Sequence, residues 1–386
     1  MRIRAAVLEQ SGLPVPYAGS QPLKLREIEL AGPKQGEVLV RIEAAGLCHS
    51  DLSVIDGNRP RPLPMVLGHE AAGVVEELGP GVDDLVVGDH VVCIFVPSCG
   101  TCACCSDGRP ALCVPGAASN GAGTLLSGER RFLADDGVLH HHLGVSAFAE
   151  YATVSRRSLV KIDPGLAFEH AALFGCAVLT GVGAVLNGAK VAPADRVAII
   201  GLGGVGMAAL LGARAAGAEQ IVAVDIAREK LDLALAMGAT DVFLATEDGV
   251  DEAIRDASSG GVDHAIELAG SVAALQLGYR ITKRGGALTT GGLPAPTALL
   301  SIPAVNLVAE EKSIRGSYLG SCVPARDIPR FVRLFQRELL PVNRLLSCSM
   351  ALEEINEGFD LLREGKLLRG VVRPGRRAAT EGVVGE

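Results

Sequence analysis

The chain has 386 residues, 48% of them hydrophobic and 3% aromatic, with a formal net charge of −8. That length exceeds one ordinary domain and implies two, and the acidic balance argues against a nucleic-acid partner, which requires a basic face. No apolar run is long enough to span a bilayer and the opening MRIRAAVLEQ lacks a signal-peptide pattern, so a cytoplasmic protein without a membrane partner is expected, in a compartment where thiols stay reduced.

In chain order, the first chemical motif is GLCHSD at 46–51, which carries Cys48, Ser50 and Asp51. GHEAAG follows, with His69 21 residues after Cys48 and Glu70 next to it. Then SCGTCACCSDGRPALC packs five of the ten cysteines into sixteen residues. Its usable pattern is Cys99-x2-Cys102-x2-Cys105-x7-Cys113. Two-residue spacers let neighbouring thiolates turn around one ion, and four sulfurs suit a closed, structural zinc site. The spacing is not that of a two-knuckle zinc ribbon. Cys104 is left over and is expected to point away. Unligated, these thiols would sit crowded on a polar loop and invite oxidation.

LFGCAVLT comes later and brings Cys176. A lone buried cysteine is most often a small hydrophobe, and a lone His or Glu is most often a turn residue. Beside the four-cysteine lobe, however, Cys48, His69 and Cys176 form a three-ligand set that leaves a fourth position open, as a catalytic zinc requires. Asp51 and Glu70 bring carboxylates next to two of those ligands. A carboxylate that bonds a ligating imidazole sets its tautomer.

From residue 196 the texture changes. RVAIIGLGGVGMAALLGARAAGAEQIVAVD reads as buried strand, glycine turn, helix and second buried strand. Gly201, Gly203 and Gly206, with Gly204 between them, form G-x-G-x-x-G: a tight turn, room for a pyrophosphate, and close helix–strand packing. Asp225 ends the second strand nineteen residues past Gly206, where a carboxylate bonds ribose hydroxyls and repels a 2′-phosphate, favouring NAD over NADP. Arg228 and Lys230 nearby pull the other way. Strand-like runs follow at 241–245, 264–270, 286–292 and 313–318, with the helical REKLDLALAMG ahead of the first, giving a doubly wound parallel sheet. His264 reads as a packed strand residue. RPGRRAATEGVVGE ends the chain as a solvated tail.

These motifs, with VGDHV, VDIAREK, NEGFDLL and GKLLRG, resemble the zinc-dependent medium-chain alcohol dehydrogenase family, close to its longer liver-type branch, over about residues 4–373. The resemblance implies an α/β fold: a GroES-like β-barrel catalytic domain at 1–178 carrying the structural zinc lobe 98–114, a Rossmann domain at 179–319, a return to the catalytic domain at 320–375, and a flexible tail at 376–386. It implies two zinc ions per chain, NAD, a small alcohol or aldehyde as partner, and a homodimer joined through the SIRGSY strand.

The resemblance also distributes roles. Cys48, His69 and Cys176 match the catalytic zinc ligands, and Cys99, Cys102, Cys105 and Cys113 the structural ones. Ser50 matches the hydroxyl that bonds the alcohol oxygen, and Glu70 a residue beside the metal. His49 and Arg369 match pyrophosphate contacts, Thr180 and Val205 the nicotinamide wall, Asp225 and Lys230 the adenosine ribose. Phe95 keeps a pocket aromatic, while Arg59 and His142 stand where liver enzymes have apolar pocket residues; Leu293 and Tyr318 complete the wall. Arg59 points either to a polar substrate tail or to solvent. Ser53 stands where many members carry a proton-relay histidine. Ala117 and Ala118 stand where the glutathione-dependent formaldehyde branch has a cation. The expected reaction is zinc-dependent, NAD-linked, reversible oxidation of a primary or secondary alcohol. The alternatives are a thiol-adduct formaldehyde dehydrogenase and a non-catalytic dinucleotide-binding relative.

Overall fold

The computed structural model describes residues 1–135 and 137–376. The chain divides into two compact units, one made of residues from Met1 to Cys176 together with the return from Leu346, the other of Ala177–Leu345. Among the described residues no helix is long and apolar enough to cross a membrane. The tail expected from 376 lies, from residue 377 onward, outside the described residues.

The first unit is built on two sheets. One has six strands, in the order Gly137–Val138, Phe132–Ala134, Leu23–Leu30, Arg2–Leu8, Met65–Val66 and His140–His141. The other runs Leu159–Lys161, His90–Cys93, Glu70–Leu78, Glu37–Gly46, Arg369–Arg373 and Leu346–Ala351, with Tyr151–Ser155 also pairing with Glu37–Gly46. Leu8, Leu30, Ile42, Phe132, Phe148 and Phe359 are fully buried in one cluster. The long Glu37–Gly46 strand organises the unit, because it pairs antiparallel with Glu70–Leu78 along one side and is shared along the other by Tyr151–Ser155 and Arg369–Arg373.

A buried ion pair ties the two sheets together. Glu37 opens the central strand of one, and Arg131 stands just before Phe132 in the other. Arg131 Nε and Nη2 donate to Glu37 Oε2 and Oε1 at 2.7 and 2.9 Å. Lys34 N and Ser127 Oγ donate to the same carboxylate. Both side chains are almost wholly out of solvent, so the fork geometry offsets desolvation of two charges.

The second unit is a six-stranded parallel sheet in the order Asp241–Leu244, Gln220–Asp225, Arg196–Ile200, Val262–Glu267, Thr282–Thr290 and Ser313–Gly316. Counted along this sheet the order is 3-2-1-4-5-6, the doubly wound arrangement. All four strand-like runs of the sequence form strands here, and REKLDLALAM forms the helix Arg228–Met237. Gly238 ends that helix with φ +111°, a conformation that favours glycine. Val222, Val224, Ala265 and Leu288 are buried, as strands covered on both faces must be.

The unit boundaries differ from the expected ones. The return to the first unit falls after Leu345 rather than at 320. The helix Pro324–Gln336 explains this: it buries Ile328, Phe331 and Val332 on one face, and its Asp327 Oδ2 accepts hydrogen bonds from Asn187 Nδ2 at 3.2 Å and Val323 N at 2.9 Å. That apolar stripe holds residues 320–345 to the nucleotide-type unit. Pro341, four residues ahead of Leu345, is the break nearest the point where the chain leaves it.

Removing one partner of the sheet-to-sheet ion pair leaves a buried, uncompensated carboxylate. Arg131→Met is therefore expected to destabilise the first unit by about 3–5 kcal/mol, read as an earlier urea transition. Adding Glu37→Gln to that variant should restore part of the loss.

Candidate metal and nucleotide sites

Strand register assembles the first site. Gly46 lies directly opposite Glu70 in the antiparallel ladder, so Cys48, two residues past Gly46, meets His69, one residue before Glu70. Gly46 is required here: a Cβ at that position would stand 2.8 Å from Glu70 Oε1. Cys176 arrives from the other direction, beyond the helix Phe168–Leu173. Gly175 lets the chain press against the Cys93 carbonyl, where a Cβ would collide. The ligating atoms of Cys48, His69 and Cys176 lie within 4.8 Å of one another, and all three residues are buried.

The electrostatics suit a cation. The hydrogen bond from Cys176 draws the Cys48 thiol well below its ordinary range; burial opposes this, and Arg369 and His69 add to it. The same contact, with burial, pushes Cys176 well up. The two sulfurs are thus pushed in opposite directions by their mutual contact, and a divalent ion bound between them would favour the thiolate of each. Burial works against a charged His69, yet the Asp51 carboxylate and then Cys48 hold its pKa well above normal.

His69 Nδ1 lies 3.1 Å from Asp51 Oδ1, which leaves Nε2 as the ligating nitrogen. Asp51 Oδ1 also accepts Gly68 N–H at 3.1 Å. Burial raises the Asp51 pKa, and the two histidines, His69 and His142, more than reverse it. Burial pushes Glu70 up to about 7 against the pull of Arg369, whose Nη1 stands 3.5 Å from Glu70 Oε2 and donates to Leu47 O at 3.1 Å. This donor set of two sulfurs and an imidazole, one ligand already oriented by a carboxylate, fits zinc.

The remaining residues expected at this site fall as follows. Ser50 is half-buried and His49 exposed in the first turn of the helix His49–Ile55. Ser53 Oγ donates to His49 O at 2.8 Å, so its proton is committed within the helix. Phe95 meets His69 edge-on at 5.4 Å between ring centroids. Arg59 is half-buried, with its backbone N–H bonded to Ser53 O at 2.7 Å. His142 is buried, its ring edge-on to His69 at 5.4 Å and its Nδ1 3.0 Å from Asp51 Oδ1. Sequence reasoning set His142 in the pocket wall and did not connect it to Asp51; only the strand pairing brings residue 142 alongside residues 67–69.

The four-cysteine lobe closes locally. The sulfurs of Cys99, Cys102, Cys105 and Cys113 lie within 4.8 Å of one another, without Cys104. Cys99 Sγ accepts the backbone N–H groups of Thr101 and Cys102 at 3.4 and 3.3 Å. Cys113 Sγ accepts those of Cys99 and Gly116 at 3.1 and 3.4 Å. The donors on Cys99 bring its thiol down to about 6, while burial pushes Cys105 up to about 12. An array of N–H groups aimed at sulfur is what a thiolate–metal cluster needs.

In the second unit the glycine turn behaves as its spacing implies. Gly201 has φ +91°. A Cβ at Gly206 would strike the Gly201 carbonyl, whereas one at Gly203 would meet nothing within 4 Å. Protein packing therefore does not demand glycine at 203, and the open space ahead of the helix Gly204–Ala216 fits an approaching phosphate. Asp225 Oδ2 accepts Leu202 N–H at 2.6 Å and Oδ1 accepts Ala227 N–H at 3.0 Å, with Lys230 Nζ 4.0 Å from Oδ1. Thr180 and Val205 are half-buried, Leu293 and Tyr318 exposed, all in this unit. His264 Nε2 lies 3.2 Å from Asp195 Oδ2, in the strand Val262–Glu267.

Comparison with known proteins places two family models on the chain: an alcohol dehydrogenase GroES-like domain at residues 34–164 and a zinc-binding dehydrogenase domain at 204–337. An S-(hydroxymethyl)glutathione dehydrogenase of Synechocystis is 38% identical over 96% of this chain and 100% of its own length. An alcohol dehydrogenase zinc-binding domain protein from Burkholderia ambifaria has a similar structure, with a TM-score of 0.92 and 36% identity over 97% of this chain and 100% of that one. Benzyl alcohol dehydrogenase from Acinetobacter calcoaceticus matches with a TM-score of 0.90 and 35% identity, covering 97% and 99%.

Proposed function

The chain belongs to the zinc-dependent medium-chain alcohol dehydrogenase family, and from that membership we propose that it oxidises a primary or secondary alcohol reversibly to an aldehyde or ketone, with NAD as the hydride acceptor. The observation that carries this reading is the buried convergence of Cys48, His69 and Cys176 within 4.8 Å. A zinc ion held by these three side chains supplies a Lewis acid that eases loss of the alcohol proton, and the nicotinamide supplies the hydride acceptor.

The chain's own residues do the rest. Asp51 keeps the proton of His69 on Nδ1 and so directs Nε2 to the cation. Ser50 Oγ takes up the alcohol proton from the first turn of its helix. Ser53 has spent its hydrogen on the His49 carbonyl, so the onward path runs through water. The four-cysteine lobe holds a second zinc, for two per chain. In the other unit, Gly201, Gly203, Gly204 and Gly206 carry the pyrophosphate, and Asp225, fixed by Leu202 and Ala227, receives the ribose hydroxyls and disfavours a 2′-phosphate. Among the relatives, the glutathione-adduct enzymes favour a second reading. Ala117 and Ala118 weigh against it, being exposed and without charge where a thiol's carboxylates would need a cation.

The protein would act in the cytosol, consistent with all ten cysteines being free thiols, and as a homodimer. Ser313–Gly316 is an edge strand, and Leu299 and Val308, ahead of it in the chain, are 85% and 82% exposed, apolar surface that a second copy would cover.

Cys48→Ser and His69→Ala should each lower turnover by about 10³-fold and remove one of two zincs by metal analysis, with dinucleotide binding kept; full activity without that zinc would refute the mechanism. Across a panel of aliphatic, aromatic and acidic alcohols, and formaldehyde with and without glutathione, NAD should support faster turnover than NADP. Asp225→Ser should narrow that preference by tenfold or more, about 1.4 kcal/mol. Light scattering should give about twice the 39.8 kDa chain mass, and Val308→Asp should shift it to the monomer.

A further inference from the structure

One side chain at the metal centre has no part in the reaction as described. His142 follows directly on the short strand His140–His141, which pairs in parallel with Met65–Val66, His141 opposite Val66. This pairing carries residue 142 alongside the segment that ends in His69. The loop beyond is bonded to that same segment: Ser146 Oγ donates to Val66 O at 2.7 Å and accepts His142 N–H at 2.8 Å, and Ala147 N and Phe148 N donate to Gly68 O and Leu67 O at 2.9 and 3.0 Å. The His142 backbone is thus fastened to the strand it faces, and its ring has a defined place.

That ring reaches the carboxylate that orients His69. His142 Nδ1 is 3.0 Å from Asp51 Oδ1, with both side chains essentially out of solvent. The ring lies off the donor direction, so the contact is a close N···O approach rather than a formed hydrogen bond, and Nδ1 has no hydrogen-bond partner in the protein. A bare lone pair facing a carboxylate oxygen at that distance in a dry site would be repulsive, so the proton belongs on Nδ1, pointing at Asp51. The ligand atoms of Asp51, His69 and His142 lie within 4.8 Å of one another. Asp51 Oδ1 is thus bonded by the Gly68 N–H and by His69, with the His142 ring standing beside it at 3.0 Å.

We propose that His142 is a positioning residue for the metal centre: its Nδ1–H braces the Asp51 carboxylate, which in turn holds His69 with Nε2 toward the cation. This rests on the reading that Cys48, His69 and Cys176 hold a metal. His142 acts through Asp51 and touches no reacting atom. It tightens one metal site of the chain and leaves the four-cysteine lobe unaffected.

Competitive zinc release tests this. Full-length, zinc-loaded chains are titrated with a chelator, and the step belonging to the Cys48 centre is identified by its absence in Cys48→Ser. His142→Phe keeps a ring and loses the N–H; it should release that zinc at about tenfold lower chelator and leave the lobe step unmoved. His142→Asn, whose amide can donate in the same direction, should recover part of the difference. Asp51→Asn should loosen the same zinc, and adding His142→Phe to it should loosen it no further. If His142→Phe does not fold, His142→Leu takes its place with the same expectation.

Unchanged release in the ring variant overturns the proposal, as does equal loosening of both zincs, which would mark a general packing defect. Multiplying effects of the Asp51 and His142 changes also overturn it. A wild-type chain with no step missing from Cys48→Ser overturns the metal reading along with this one, whereas a normal wild-type step with insensitive variants overturns this proposal alone.

Discussion

The chemistry of the first unit depends on one antiparallel register, in which Glu37–Gly46 pairs with Glu70–Leu78 and sets Gly46 against Glu70. Side chains alternate faces along a strand, so a slip of one residue would carry Glu70 to the opposite face and move His69, next to it, out of line with Cys48. The neighbouring strand shares this alignment, with Val371 opposite Gly46, and so brings Arg369 to Glu70. Three segments widely separated in sequence therefore place a thiol, an imidazole, a carboxylate and a guanidinium side by side.

Such a concentration of polar groups in a dry place is costly unless they balance. Asp51 is matched by His69 and the Gly68 N–H, and Glu70 by Arg369. Even so, both Glu70 oxygens and Arg369 Nε lack full hydrogen-bond partners. The cost is retained where Cys48, His69 and Cys176 converge, and a cation bound there would add positive charge beside both sulfurs. The four-cysteine lobe solves the problem differently. Three of its four cysteines are half-exposed, and the sulfurs of Cys99 and Cys113 accept backbone N–H groups from the same stretch of chain.

The nucleotide-type unit shows a third solution, in which shape does most of the work. Gly201 and Gly206 are needed for the turn and for the helix to sit on the strand, while Gly203 serves neither purpose and leaves open space. Asp225 is drawn into the turn by two backbone donors, so the carboxylate that would meet a ribose is held by the same loop that would meet its phosphates.

By itself the sequence determined what depends on short-range spacing. The four sulfurs of the lobe close within fifteen residues, from Cys99 to Cys113. The glycine turn with its terminal aspartate, and the strands and helices after it, were legible because each is encoded by local pattern and period. Even the three-part donor set of Cys48, His69 and Cys176 could be read, since few other uses gather such residues in one chain. Only the tertiary structure decided what long-range pairing controls. It placed residues 320–345 with the second unit, through an apolar helix face whose partner no local signal names. It brought His142, expected in the pocket wall, to 3.0 Å from Asp51, through a two-residue parallel bridge to Met65–Val66 that is too short to leave a periodicity in the sequence. Local patterns record the secondary structure a segment adopts; which buried neighbour it meets is set by packing across the whole unit.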